Sequence, residues 1–260
     1  MSKTVPPYVE GHELLAGKSV LVTAAAGTGI GFAVARKCAE EGAQVMISDI
    51  HERRLGEACD ELEKLTGVRP PSRLCNVAEE EDVRGLIDGA IGEFGQLDVL
   101  VNNAGLGGTA NIVDMTDEQW NAVLGITLTG TFRMTRAVLP HMMERRAGVI
   151  VNNASVLGWR AQVGQAHYAA AKAGVMALTR CAALEAAEYG VRINAVSPSL
   201  ATHKFLSKVM PQDVLDELTA REAFGRGAEP WEVANAMVFL ASDYSSYMTG
   251  ECVSVSSQHA

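Results

Sequence analysis

Short apolar runs recur along the chain, and segments of helix length separate them. The runs are Ser19–Thr23, Gln44–Ser48, Val99–Val101, Val149–Val151, Val191–Val196 and Cys252–Val255, with a weaker one near Pro71–Cys75. Runs this short and this continuously apolar read as strands covered on both faces, because such strands have no wet side. Between them, Ile30–Glu41, Glu79–Phe94 and Tyr168–Glu188 carry apolar residues three and four apart, the spacing of one helix face. Strands that alternate with helices join by right-handed crossovers. The pattern therefore predicts one α/β domain, a doubly wound parallel sheet of about seven strands with helices on both faces. No repeat, low-complexity tract or Pro/Gly linker divides the chain; residues 1–17 read as an appended arm and 18–260 as the domain. Ligands of such sheets sit beyond the carboxyl ends of the strands, so chemistry is expected just after the apolar runs.

Composition narrows the choice of partner. With 260 residues, 48% of them hydrophobic, the chain can fill a two-sided core. Its net charge of -9 argues against nucleic acid or an anionic membrane as the main partner. Cys38, Cys59, Cys75, Cys181 and Cys252 form no CxxC pair and read as reduced core thiols of a cytoplasmic protein. The opening "MSKTVPPYVEGHELLAGK" has no apolar signal core, and no run of about 18 apolar residues occurs. His12, His51, His141, His167, His203 and His259 show no zinc-ligand spacing, so no metal is expected.

Three stretches carry chemistry. "VTAAAGTGIG", residues 22–31, follows the first apolar run and precedes a helix starting near Ile30. Gly27, Gly29 and Gly31 let the backbone turn sharply and approach a pyrophosphate, whose charge the helix N-terminus favours. A tight turn without a ligand would use the same residues. Asp49 ends the second run twenty residues after Gly29, where an acid can accept hydrogen bonds from an adenosine ribose. It would repel a 2′-phosphate, which favours NAD over NADP; nearby Arg53 and Arg54 leave NADP open, and Asp49 also suits a helix N-cap. After the run ending at Val151, Ser155 is followed by Tyr168 and Lys172, the last two spaced to share a helix face. A phenol with an ordinary pKa near 10 is a poor base, and the ammonium with a cationic nicotinamide is expected to lower it by roughly 2–3 units. Ser155 can hold the substrate oxygen. A surface helix bearing one Tyr and one Lys is the alternative.

From about Gly17 to Val255 the sequence resembles the short-chain dehydrogenase/reductase family. The glycine turn, "NNAG" at Asn102–Gly105, the Ser155/Tyr168/Lys172 set and "INAVSPS" at Ile193–Ser199 carry the resemblance together. It implies a Rossmann-type fold, a bound NAD(H) or NADP(H), Tyr168 as general acid/base, Lys172 on the nicotinamide ribose and Ser155 orienting the substrate. It places Gly27, Thr28, Gly29, Ile30, Gly31, Asp49, Asn76, Val77, Asn103, Ala104, Gly105, Tyr168, Lys172, Pro198 and Leu200 at the dinucleotide. Departures stand beside it. Ala24 replaces a glycine in a turn one residue longer, Asn76 replaces an aspartate, Ser199 replaces a glycine, and the tail "VSVSSQHA" lacks the frequent paired glycines. Thr127 stands where the family often has a catalytic asparagine, so only a backbone-mediated role carries over.

Substrate choice rests on loops. Leu157, Trp159 and Arg160 follow the serine, and residues 199–225 form a candidate lid carrying Lys204, Lys208 and Arg221. They suit a bulky apolar substrate with an anionic end, or else a solvated amphipathic helix. "ASVLGWRAQ" and "FLASDYSSYMTGE" resemble actinobacterial family members of steroid C/D-ring breakdown. That resemblance implies oxidation of a ring alcohol to a ketone with NAD on a methyl-indanone carrying a propanoyl-CoA chain. A 3-oxoacyl thioester reductase and a general sterol or alcohol dehydrogenase are the alternatives within the family, and a non-catalytic NAD-binding scaffold outside its chemistry. The family resemblance also implies a homo-oligomer, a tetramer or dimer, built on long helices near Met115–Glu144 and Tyr168–Glu188.

Overall fold

The computed structural model describes residues 5–202 and 212–258. Its strands are β1 Ser19–Val22, β2 Gln44–Asp49, β3 Ser72–Leu74, β4 Val99–Asn102, β5 Gly148–Asn153, β6 Val191–Pro198 and β7 Cys252–Val255. They form one sheet in the order β3-β2-β1-β4-β5-β6-β7, with every pair parallel. The described helices are α1 Ile30–Glu40, α2 Glu52–Thr66, α3 Glu80–Phe94, α4 Asp117–Leu124, α5 Gly130–Arg145, α6 Ala166–Ala187, α7 Gln212–Ala220 and α8 Pro230–Ala241.

Alternation along each strand explains the two layers, since successive side chains point to opposite faces. Val20, Val22, Ile47, Val101, Val151 and Val196 face α1, α2 and α8, packing with Val34, Leu55 and Val233. Leu21, Met46, Leu100, Ile150 and Ile193 face α3, α5 and α6, packing with Leu86, Met134 and Ala183. Both faces are apolar, which is why the runs lacked polar alternation. The neighbours β1 and β4 send their following helices to opposite faces, and this opens a crevice at their carboxyl ends.

The expected long helix at Met115–Glu144 is interrupted. A capping box between Thr116 and Gln119 starts α4, but Gly125–Thr129 forms a π turn before α5 begins. Gly125 and Gly130 bracket the turn. A Cβ on Gly130 would lie 2.7 Å from Val77 Cγ2, so the helix can pass the loop after β3 only as glycine. Such inserted turns cluster at functional sites, and this one carries Thr127.

Residues 5–17 pack on the domain. His12 and Leu14 donate their backbone N–H groups to Glu41 at 2.7 and 3.0 Å, and Lys37, 2% exposed, donates to the Val9 carbonyl at 2.5 Å. The Tyr8 ring meets Trp231 of α8 edge-on at 5.4 Å. Cys38, Cys59 and Cys75 are buried thiols as expected, whereas Cys181 is exposed on α6 and Cys252 is partly so. No helix among the described residues is long and apolar enough to cross a membrane.

Candidate active site

The turn after β1 is pinned from β4. Thr23 Oγ1 accepts the Asn103 and Ala104 N–H groups at 3.0 and 3.1 Å. Asn103 Nδ2 donates to the Thr23 and Ala24 carbonyls at 3.2 and 3.0 Å, and Asn153 Nδ2 donates to Asn103 Oδ1 at 2.9 Å. Three strand ends are thus tied together by side-chain amides. Ala24 has φ 49, a left-handed backbone that costs a Cβ-bearing residue about 1–2 kcal/mol. The family glycine is missing there, yet its conformation is kept because Asn103 and the Ala25 N–H to Ser48 bond, 3.0 Å, hold both sides of the residue.

Gly31 lies against this pin, since a Cβ there would sit 2.4 Å from both the Ala24 oxygen and Asn103 Nδ2. Gly29 differs: a Cβ on it would meet nothing within 4 Å, and it starts α1 with no side chain capping the helix. The first N–H groups of α1, from Ile30 onward, therefore face open space, an arrangement that favours an anion. Thr28 Oγ1 is buried beside them without a hydrogen-bond partner among the described residues. Gly27, at φ 122, makes the bend that brings Thr28 there.

Asp49, 7% exposed at the end of β2, accepts from Ala26 N at 3.2 Å and His51 N at 3.0 Å. Burial pushes its carboxyl above the ordinary range, although these bonds and Arg54, 3.9 Å away, pull the other way. It does not cap α2; that position belongs to His51. Asn76 follows β3 and spends its Oδ1 on Ala78 N at 3.1 Å, and Val77 beside it is buried. The nearer residues of the crevice are therefore fixed by bonds to one another, whereas the α1 end is free to receive a ligand.

On the other side of the crevice, Ser155 follows β5 and caps a short 3₁₀ turn, Val156–Gly158, accepting from Leu157 N at 3.2 Å. Tyr168 lies in the first turn of α6, one turn before Lys172. Lys172 is 2% exposed; its Nζ donates to the Asn153 carbonyl at 2.5 Å and lies 5.5 Å from the Tyr168 ring centre. Burial lowers its pKa to about 8. Burial also raises Tyr168, and a hydrogen bond with Ser155 pulls it partly back. In the chain by itself burial outweighs the Ser155 hydrogen bond and the net shift is upward, whereas the lowering expected above includes a cationic nicotinamide. The phenol is held protonated.

Gly105 brings the loop after β4 to this group, because a Cβ on it would lie 3.6 Å from Lys172 Nζ and 3.7 Å from Thr127 Oγ1. Thr127 is fully buried, and its hydroxyl accepts from Leu106 N at 3.0 Å and donates to Leu106 O at 3.1 Å. Its side chain holds that loop; its carbonyl accepts from Thr131 at 2.8 Å. Pro198 ends β6, and Leu200 N donates to Glu222 at 3.3 Å. Asn153 and Thr23 were not singled out from the sequence, although Thr23 stands in the quoted glycine turn and Asn153 just after the apolar run ending at Val151; what marks them is the partners they bind, which only the fold supplies. His167 is buried, with Nδ1 accepting the Tyr168 N–H at 2.9 Å. A cavity of about 710 Å³ adjoins the serine loop, lined by Leu157, Trp159, Arg160 and Ala110–Ile112. Among the described residues no group of His, Cys, Asp or Glu is placed to hold a metal. Lys204 and Lys208 lie outside the described residues, and Arg221 pairs with Glu217.

A family model described as enoyl-(acyl carrier protein) reductase matches residues 24–257. The fold aligns with the crystal structure of a short chain dehydrogenase from Mycobacterium smegmatis at a TM-score of 0.88, with 59% identity and 99% of each chain covered. The chain belongs to the short-chain dehydrogenase/reductase family. It is an oxidoreductase of a family that uses nicotinamide cofactors. A Mycobacterium tuberculosis family member, named (5R,7aS)-5-hydroxy-7a-methyl-1-oxo-2,3,5,6,7,7a-hexahydro-1H-indene-carboxyl-CoA reductase, is 62% identical over 98% of this chain and 97% of its own. A 3-oxoacyl-(acyl-carrier-protein) reductase from Thermotoga maritima is 39% identical over 93% of this chain and 97% of its own.

In this dehydrogenase/reductase a cation buried against one carbonyl is a cost to folding, as its lowered pKa records. The folded state releases the Lys172 proton at about pH 8, and the unfolded chain at the ordinary 10.5. Between those values the unfolded state binds more protons, so this group's contribution to stability rises with pH. Lys172→Met, of similar reach without charge, is expected to hold or raise the melting temperature at pH 7 and to remove that rise. Calorimetry from pH 7 to 10 checks it; a melting temperature lowered by several degrees at pH 7 would show that the ammonium stabilises the fold.

Proposed function

We propose that this chain is an NAD-linked enzyme interconverting a ring ketone and a secondary alcohol on a bulky apolar CoA thioester, with Ser155, Tyr168 and Lys172 as its catalytic residues. One observation carries the reading: a half-buried phenol, its serine partner and a buried ammonium stand at the same carboxyl edge as an open, uncapped helix N-terminus. The residues present suit a dinucleotide. The uncapped start of α1 and the unpartnered Thr28 hydroxyl offer donors to a pyrophosphate, and Asp49 offers oxygens to ribose hydroxyls. Gly27–Gly31, Asn76, Val77, Asn103–Gly105, Pro198 and Leu200 complete that surface in the proposal. The nicotinamide, when bound, supplies or takes up hydride.

In the reducing direction the Ser155 hydroxyl donates to the substrate oxygen and Tyr168 Oη passes its proton to it. Lys172, held by the Asn153 carbonyl, then faces the phenolate with a positive charge. Oxidation runs the same proton back to Tyr168. Thr127 takes part through the loop it holds.

Identity to the indene-carboxyl-CoA reductase supports the substrate class, and Leu157, Trp159 and Arg160 add an apolar wall and a cation next to Ser155. Identity to the 3-oxoacyl reductase supports a second, shorter-chain thioester reading. A homo-oligomer, tetramer or dimer, in the cytoplasm completes the proposal. Its support is Leu184, 80% exposed on α6, and Phe132, 40% exposed on α5.

Tyr168→Phe is expected to keep NADH binding, read by fluorescence titration, and to lose turnover of a hydroxy-indanone CoA thioester at least about 100-fold. Turnover within a fewfold of wild type would reject Tyr168 as the proton carrier. In parallel titrations NADH is expected to bind more tightly than NADPH, because the buried Asp49 carboxylate opposes a 2′-phosphate. Tighter NADPH binding would reverse the cofactor assignment.

A further inference from the structure

Glu222 is 4% exposed and lies in the connection between α7 and α8, far along the chain from the catalytic triplet. Four donors converge on its carboxylate. Oε2 accepts from Ser199 Oγ at 3.1 Å and Ser257 Oγ at 2.7 Å; Oε1 accepts from Leu200 N at 3.3 Å and Gln258 Nε2 at 2.9 Å. Gln258 Oε1 in turn accepts from Arg160 Nη1 at 2.5 Å. The backbone reinforces the joint: Ala223 N donates to Ser257 O at 2.8 Å, and Ser199 N to Val255 O at 3.2 Å.

One carboxylate thus connects three segments. Ser199 and Leu200 leave β6 directly after Pro198, at the edge of the dinucleotide crevice. Ser257 and Gln258 follow β7. Arg160 stands five residues past Ser155, in the loop that borders the substrate side. Ser199 occupies a position where the sequence departs from the family glycine, and its hydroxyl is one of the four donors. The departures at Ser199 and in the tail therefore belong to one local device. A guanidinium has five N–H groups, and the bond to Gln258 leaves others free for an anion.

We propose that Glu222 is a positioning residue for substrate: through Gln258 it aims Arg160 at the anionic tail of a CoA-type thioester and fixes the Ser199–Leu200 segment opposite. The proposal rests on the CoA-thioester reading above. Its effect falls on binding of the substrate, not on proton transfer, because none of the bonded groups is Ser155, Tyr168 or Lys172.

Steady-state kinetics with a hydroxy-indanone CoA thioester and with the same ring ketone lacking CoA form the test. Glu222→Ala is expected to raise KM for the thioester about tenfold, with kcat within about threefold and any loss of NADH affinity, through the Leu200 segment, smaller than the change in KM. KM for the CoA-free ketone should move far less. Glu222→Gln should restore wild-type KM, since the serine hydroxyls can turn from donors into acceptors. Gln258→Ala should reproduce the thioester effect, and adding it to Glu222→Ala should change little more, as for residues acting in series. Should Glu222→Ala fail to fold, Gln258→Ala and Glu222→Gln still decide the matter. Equal KM changes for both ketones, loss confined to kcat, or multiplying effects in the double variant would overturn the proposal. A wild type that reduces the ring ketone but gains nothing from CoA would overturn it and leave the oxidoreductase reading intact. A wild type reducing neither would overturn both.

Discussion

Lys172 places an ammonium in the protein interior, 2% exposed, with the Asn153 carbonyl as its hydrogen-bond partner among the described residues. Burial alone disfavours the charge enough to bring its pKa to about 8. Much of the surrounding architecture follows from keeping that cation in place. The carbonyl must project from the end of β5, so the strand has to stop at Asn153. The loop after β4 passes beside the cation at Gly105, where a Cβ would stand in ordinary contact with the ammonium and with Thr127. Thr127 holds that loop from within the π turn, bonding both the N–H and the carbonyl of Leu106.

The same edge is knit by amides. Asn102 donates to Asn152 at 2.9 Å, Asn152 to Thr179 at 2.9 Å, and Asn153 to Asn103 at 2.9 Å. These bonds lock neighbouring strand ends into one register, while Asn102 Oδ1 and Asn153 Oδ1 stay buried without a partner among the described residues. The chain extends to Thr23 and Ala24, so the catalytic side and the glycine turn are parts of a single hydrogen-bonded body. Ala24 shows how firm that body is: a residue with a Cβ keeps a left-handed backbone because its neighbours leave it no other course.

Much of this was legible in the sequence. All seven apolar runs are strands; the central ones are apolar throughout because both their faces are covered, and the short, weak Pro71–Cys75 signal matches the short, exposed edge strand β3. Ser155, Tyr168 and Lys172 were legible because helical spacing and strand ends place them without long-range information. Other features were not. The π turn has no local signature, and the close approach of Val77 to Gly130 comes from a distant loop. The phenol's upward shift depends on how much water the fold excludes, which a neighbouring lysine in sequence does not reveal. Glu222 was not singled out from the sequence; what marks it is Ser199 and the Ser257–Gln258 pair, brought around it from two distant parts of the chain. Spacing finds groups on one element; it misses groups assembled across several.

The direct measurement is the pH dependence of a single turnover of ketone reduction by bound NADH, followed by stopped flow from pH 6 to 10. If a protonated Tyr168 backed by a charged Lys172 delivers the proton, the rate is level at low pH and falls as pH passes about 8, where Lys172 loses its charge. A rate that climbs with pH across that range, or holds constant through it, would contradict the account.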